Sequence, residues 1–214
     1  MNRQKSKPQL TSPAGRAFFP SLKTPDTKFD KSGGGKYNVK LVYDPADCEA
    51  FVKEIDRLYD ENYKQQCEEA GEKKLKKAGK PYRDHLDKDK NPTGEIEFTF
   101  AMKAKGTNRD GETFERRPKI FGPDGSLIPT DQIPNIGTGS TLKVNHFIDG
   151  WHTQMVGAGV SLRLRAVQII ELVEWTDESD AGEFGFSEEG DALDLPAATP
   201  KVEVLSGDAD EADF

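Results

Sequence analysis

Apolar and polar residues alternate along several stretches of the chain, which is the pattern of half-buried β-strands. Between residues 37 and 43, Tyr37, Val39 and Leu41 occupy one face while Lys40 lies on the other. Later segments repeat this alternation, so the sequence predicts five or six strands. The predicted strands are 12–22, 37–43, 95–105, 114–121, 140–148 and 160–173.

A single long helix interrupts the strand pattern. An Asp-Pro pair at 44–45 matches an N-cap followed by proline at the first helical position, and apolar residues from Phe51 to Tyr59 recur at helical spacing. Gly71 is a candidate interruption, and Gly79 and Pro81 end the helical pattern, so we predict a helix over about 45–79. Strands in this number with one helix predict a mainly β protein, specifically a five-stranded OB-fold barrel with one long packed helix.

The charge is divided unevenly along the 214 residues, whose net charge is −8. Residues 175–214 carry 13 acidic side chains and one basic side chain, a net charge of −12, whereas residues 1–174 carry 29 basic and 25 acidic side chains, a net charge of +4. We therefore divide the chain into a flexible basic arm (1–11), a barrel domain (12–174) and a disordered acidic tail (175–214). A basic body with an acidic tail indicates work on nucleic acid or an interaction tail.

Basic and aromatic side chains share the polar faces of the predicted strands. Cations follow the phosphates of a single strand, and exposed rings stack on its unpaired bases. The alternative is a barrel with ordinary solvated charges and a few rings that cover apolar edges. The predicted DNA-binding residues are Lys36, Lys40, Lys103, Lys105, Arg117, Lys119, Lys143, Arg163, Arg165, Arg16, Phe121, Phe147 and Trp151.

The acidic tail resembles a nucleic-acid strand in charge, so it is predicted to compete for the same basic surface at high effective concentration. Its end combines an aromatic ring with a carboxylate, which a partner protein can capture in an apolar pocket beside a cation. The alternative is a tail that only aids solubility. The predicted partner-binding residues are Asp208, Asp210, Glu211, Asp213 and Phe214.

No motif in the sequence predicts catalysis, a metal or a cofactor. His85, His146 and His152 lack metal-ligand spacing, and His146 falls on an apolar strand face, as a core histidine does. Two cysteines without a CxxC predict neither a zinc site nor a disulfide scaffold and favour a reducing cytoplasm. No apolar run is long enough for a transmembrane helix. Two other functions stay open: a metal-dependent nuclease on a β-rich core, and an adaptor whose tail mimics DNA.

Several segments, in order, resemble the single-stranded DNA-binding proteins of lytic podophages, the gene-2.5-type family. They are SPAGRAFFP at 12–20, YNVKLVY at 37–43, the Asp44-Pro45 helix start, WHTQMVGAGV at 151–160 and the terminal Asp213-Phe214.

This resemblance implies an OB-fold with the helix outside the barrel, and sequence-tolerant binding of single-stranded DNA in phage replication, recombination and repair. It implies that Trp151 stacks on bases and that the tail, through Phe214, contacts the phage DNA polymerase and helicase-primase. It also implies a homodimer in the cytoplasm of an infected bacterial host.

Overall fold

The structure is a computed structural model that describes residues 7–28, 34–108 and 110–175. The chain divides into two units, Met1–Thr176 and Asp177–Phe214, and the second lies outside the described residues. The predicted acidic tail therefore lies outside them apart from its first residue, Trp175. The same holds for the predicted partner-binding residues: Asp208, Asp210, Glu211, Asp213 and Phe214.

The described residues form ten β-strands, one α-helix and one short 3-10 turn at Thr130–Gln132. Several strands are only three residues long, which is why there are more of them than the periodicity predicts. The elements are β1 (Gln9–Thr11), β2 (Gly15–Asp26), β3 (Lys36–Tyr43), α1 (Pro45–Ala70), β4 (Tyr82–Leu86), β5 (Pro92–Lys103), β6 (Lys105–Thr107), β7 (Thr113–Glu115), β8 (Lys119–Phe121), β9 (Thr141–Thr153) and β10 (Gly157–Glu171).

The five long strands pair in a closed cycle, in the order β9, β2, β3, β5, β10 and back to β9. Two of these junctions are short. β2 meets β9 only at Gly15 and Arg16, and β5 meets β10, in parallel, only at Phe100 and Ala101. The ring is therefore OB-like without being a clean barrel. The predicted mainly β, five-stranded OB-type architecture is confirmed.

The core fills the inside of this ring, because one face of each strand is apolar. Val39 and Leu41 of β3 and Phe100 of β5 are fully buried there. Helix α1 packs against the same core, with the Phe51 ring centroid 4.9 Å from that of Phe98. The predicted alternation therefore identifies the inward residues correctly.

The helix begins where the sequence predicts but ends nine residues earlier than 79, at Ala70. Gly71 adopts a left-handed conformation with φ of 67°. The Gly71 N–H donates to the Glu68 carbonyl, and the Glu72 N–H donates to the Cys67 carbonyl. This is a Schellman C-cap, which ends the helix before the lysine-rich segment that follows.

Two other segments differ from the prediction. Residues 9–11, expected within a flexible arm, form β1, which pairs antiparallel with β9 through Gln9 and Phe147. The segment 114–121, expected as one strand, is split into β7 and β8. Pro118 lies in the gap, and it lacks the N–H that a continuous ladder needs.

His146 is fully buried in the core, as predicted, between the rings of Phe51 and Phe100. Its Nδ1 lies 3.4 Å from the Val144 carbonyl oxygen, and its Nε2 has no hydrogen-bond partner among the described residues. Burial lowers the pKa of His146 from 6.5 to about 4, because the charged imidazolium loses its hydration.

We expect this histidine to make the protein less stable in mild acid. In the unfolded chain His146 takes up a proton below about pH 6.5, whereas the folded state resists protonation down to about pH 4, so the stabilisation is complete above 6.5 and is lost as the pH falls toward 4. Between pH 7 and pH 5 the loss should be about 2 kcal/mol.

Urea unfolding of the wild type and of His146→Leu at both pH values measures this loss. The variant should lose about 2 kcal/mol less than the wild type over the same interval, since the other titrating groups are common to both proteins. Equal losses in the two proteins would contradict the assignment.

Candidate nucleic-acid interface

A groove of about 1100 Å³ runs over the outward faces of β9 and β10. We call it the β9–β10 groove. Eight basic side chains line it against two acidic ones, Glu115 and Asp149, and the rings of Phe121 and Phe147 lie among them. The basic residues are Lys7, Lys103, Arg116, Arg117, Lys119, Lys143, Arg163 and Arg165.

Arg163 and Arg165 of β10 both line this groove, and the ladder between β10 and β9 carries a bulge at Arg165. Leu164 pairs with His146, but Ala166 pairs with Asn145, so Arg165 is an extra residue in the ladder. Regular alternation exposes Arg163 and Arg165 and buries Leu164 between them. The bulge changes the phase beyond Arg165, so that Val167, and not Ala166, is the next buried residue. Sequence periodicity does not reveal this shift.

Phe147 lies between these two arginines. It pairs across the ladder with Arg163, and the Arg165 guanidinium carbon lies 5.2 Å from the centroid of its ring. Arg165 also donates a hydrogen bond of 2.6 Å to the Gln9 side chain. The half-buried ring is thus part of the floor, with a cation held over it.

Asp149 is the acidic centre of the groove. Its carboxylate accepts a hydrogen bond of 3.0 Å from Arg163 Nε and a second hydrogen bond from Lys7 Nζ. Burial opposes ionisation of Asp149, but the bonds from Lys7 and Arg163 outweigh it and hold the pKa of the carboxyl below its usual value. One carboxylate therefore partly neutralises two of the eight cations.

The fold brings most of the predicted DNA-binding residues together, on the four strands β5, β8, β9 and β10 and the segment before β8. A polynucleotide thus has one continuous basic surface to follow. The predicted residues that line the groove are Lys103, Arg117, Lys119, Phe121, Lys143, Phe147, Arg163 and Arg165.

Trp151 does not line the groove. It is half-buried further along β9, opposite Gly159 of β10. Its indole N–H donates a hydrogen bond of 2.9 Å to the Ser161 hydroxyl, and a Cβ at position 159 would lie 2.9 Å from its ring. The absence of a side chain at Gly159 therefore makes room for the indole. Stacking on Trp151 stays a prediction.

The other predicted cations also lie outside the groove. Arg16 is bound to Glu95, with Nη2 2.6 Å from Oε1, and Lys40 Nζ lies 3.2 Å from Glu97 Oε1. Both carboxylates belong to β5, which pairs with β3 but not with β2, and the sequence does not reveal these ion pairs. Lys36 is exposed and pairs with Lys103 in the β3–β5 ladder, and Lys105 is exposed on β6.

Sequence reasoning missed two cations of the groove, Lys7 and Arg116. Lys7 falls in the expected flexible arm and is brought to β9 by the pairing of β1.

The Arg116 guanidinium carbon lies 4.7 Å from the Phe114 ring centroid, and a Cβ at position 106 would lie within 2.7 Å of both side chains. Gly106 therefore allows this stacked pair. The sequence did contain a signal for Arg116, namely its position next to Arg117 in an irregular segment at the edge of the sheet. Both side chains are exposed there.

A family profile described as "Single-stranded DNA-binding protein, Bacteriophage T7" matches residues 16–172. The chain belongs to this family. The matched region includes all five strands of the ring, except for the first residue of β2. It also includes all the basic residues of the groove except Lys7. No curated protein matches the sequence at a significant level.

Solved structures of phage proteins share the fold. The structure described as gp2.5, a single-stranded DNA binding protein encoded by bacteriophage T7, matches with a TM-score of 0.68 and 25% identity, covering 88% of this chain and 100% of the T7 chain. The single-stranded DNA-binding protein from bacteriophage Enc34, in complex with ssDNA, matches with a TM-score of 0.55 and 16% identity, covering 78% of this chain and 88% of the Enc34 chain. At that identity the Enc34 match supports the fold alone.

Two searches of the described residues bear on other functions. No group of three or more histidine, cysteine or acidic residues in the described ranges is arranged to hold a metal ion. Within the same ranges, no helix combines the length and the apolar character needed to cross a bilayer.

Proposed function

We propose that this member of the family binds single-stranded DNA in the β9–β10 groove with little sequence preference. The observation that carries the proposal is the groove itself, with eight cations around Phe121 and Phe147 and only two acids. Cations at this density neutralise phosphates of any sequence, and a phenylalanine ring stacks on any base. Family membership supports the same conclusion.

We further propose that the protein coats single-stranded DNA during phage replication, recombination and repair, in the cytoplasm of an infected bacterium. In this proposal it binds without catalysing a reaction, forms a homodimer, and contacts the phage DNA polymerase and helicase-primase through its tail. The resemblance to the gene-2.5-type family supports these roles. The 13 acids of residues 175–214 and the terminal Phe214 provide the chemistry for the tail contacts.

Fluorescence anisotropy of labelled oligo(dT), together with the length of the DNA on a gel, separates this function from its two alternatives. Raised anisotropy without shortening of the DNA supports the proposal, magnesium-dependent shortening favours a nuclease, and unchanged anisotropy favours an adaptor that binds only proteins. If about four phosphates are neutralised, log affinity should fall with log salt at a slope of about −3.

Phe147→Ala should weaken binding to oligo(dT) by about 5- to 150-fold, because stacking on an aromatic side chain contributes about 1–3 kcal/mol per base. Phe19→Ala is a matched control, since Phe19 is 68% exposed and lies outside the groove. Fluorescence anisotropy of a labelled oligonucleotide measures both. An affinity of Phe147→Ala equal to that of the control would remove Phe147 from the site.

Asp149→Asn should bind oligo(dT) about three- to tenfold more tightly at low salt, because Lys7 and Arg163 lose their intramolecular partner. The slope of log affinity against log salt should become steeper by the amount that corresponds to about one more neutralised phosphate. Asp60→Asn makes the same charge change on α1, where the exposed Asp60 is ion-paired to Lys77 of the segment that follows the helix, so it corrects for net charge. Weaker binding by Asp149→Asn would mean that this carboxylate serves mainly to position Arg163.

A chain that ends at residue 176 should bind oligo(dT) more tightly than the full chain at low salt, and the difference should shrink as salt is raised. The reason is that a tethered polyanion competes with DNA for the groove, and salt screens both interactions. Equal affinities of the two chains at low salt would contradict the competition. Pull-down of the phage polymerase by the two chains tests the partner role separately.

A further inference from the structure

A second, smaller cleft of about 420 Å³ lies along the line where β5 and β10 meet. We call it the β5–β10 cleft. Its basic side chains are Lys80, Arg83 and Arg163, and its floor includes Thr99 of β5 and Ser161 of β10. None of the predicted DNA-binding residues except Arg163 lines it.

The cleft continues the β9–β10 groove, because Arg163 lines both. On β5 the cleft ends at Ala101 and the groove begins at Met102, the next residue. On β10 the two together extend from Val160 to Gln168. Eight residue spacings at the rise of a β-strand make a continuous path of roughly 26 Å.

Arg83 is held in this cleft by a buried carboxylate. Its Nε and Nη2 donate to Glu97 Oε1 at 3.0 and 2.7 Å, and Glu97 is only 4% exposed. The Arg83 side chain is nevertheless 66% exposed, and its Nη1 donates to no protein group in the described ranges. The guanidinium is therefore fixed on one edge and open to a ligand on the other, the arrangement that suits a phosphate oxygen.

The charges around Glu97 leave an excess of positive charge. Lys40 Nζ lies 3.2 Å from Glu97 Oε1, so two permanent cations share one carboxylate. His85 Nδ1 lies 3.2 Å from the other oxygen, Oε2. Burial opposes ionisation of Glu97, but Arg83 and Lys40 hold the pKa of the carboxyl below its usual value, so it stays charged and keeps both cations in place.

The other walls of the cleft also suit a nucleic-acid strand. Lys80 is bound to Asp56 at 2.7 Å and to the Tyr82 hydroxyl at 2.9 Å, which keeps it at the rim. The Ser161 hydroxyl in the floor accepts the indole N–H of Trp151. Trp151, which lies outside the β9–β10 groove, is thus anchored beside the β5–β10 cleft.

We propose that single-stranded DNA leaves the β9–β10 groove past Arg163 and continues through the β5–β10 cleft, where Arg83 binds a phosphate and Glu97 acts as its positioning residue. This rests on the proposed function, which it extends to a second segment of the same strand. The cleft thereby sets the length of DNA that one protein covers.

The test compares two lengths of oligo(dT), about 5 and about 16 nucleotides, which are near the limits that one OB-fold covers. Arg83→Gln should weaken binding of the long oligonucleotide about five- to tenfold and reduce its salt slope by about 0.7. Binding of the short one, which the main groove alone accommodates, should change less than about twofold. Arg57→Gln is the charge control, because Arg57 is ion-paired to Glu54 and Glu61 on the exposed face of α1.

Arg83→Gln removes a partner of Glu97, so a loss of stability would complicate the reading of its affinity. A second pair of variants, at Thr99, tests the cleft while leaving Glu97 and its partners unchanged. Thr99 is exposed in the cleft floor. Thr99→Glu places a negative charge there and should weaken the long oligonucleotide about five- to tenfold relative to the neutral Thr99→Gln, with the short one unchanged.

Wild-type affinity for the long oligonucleotide in both Arg83→Gln and Thr99→Glu would overturn the proposal. An equal loss for both lengths would also overturn it, because the cleft would then have no length-specific role. If the wild type binds neither length, the proposed function itself fails, so the two failures are distinguishable.

Discussion

The antiparallel ladder between β9 and β10 is the constraint on which both the core and the groove depend. Within each strand, alternate side chains must point to opposite faces, so the ladder that buries Leu142, Val144 and Leu164 also presents Lys143, Phe147 and Arg163 outward. Arg165 lies on the same outer face as Arg163, and the bulge there shifts the phase of the strand so that Val167 returns to the core. The proposed DNA-binding surface and the hydrophobic core are thus two faces of one hydrogen-bonded element.

A surface with this many cations needs internal counter-charges to be stable without a ligand. The protein places single carboxylates between pairs of bases: Asp149 lies between Lys7 and Arg163, and Glu97 lies between Lys40 and Arg83. Each carboxylate orients its cations and leaves a net positive charge that a phosphate can neutralise. Orientation and the excess of positive charge therefore come from the same contacts.

The differences between expectation and structure have physical causes that act over long sequence distances. Arg16 and Lys40 lie on polar strand faces as expected, but Glu95 and Glu97 of β5 form ion pairs with them. Lys7 joins the groove because β1 pairs with β9, more than 130 residues later in the chain. The helix end is the exception, since it is local: the left-handed Gly71 with its two capping hydrogen bonds outweighs the helix-forming lysines beyond it.

The sequence alone determines the strand periodicity, the start of the helix, the inward and outward residues and the separation of charge between body and tail, because these follow from local spacing and composition. It also carries the resemblance that the family profile confirms. Only the tertiary structure decides which outward residues become neighbours, where the β10 bulge shifts the register, and which cations are taken by carboxylates. Those outcomes depend on pairing between distant strands, whose register is set by the packing of the whole core and not by any one segment.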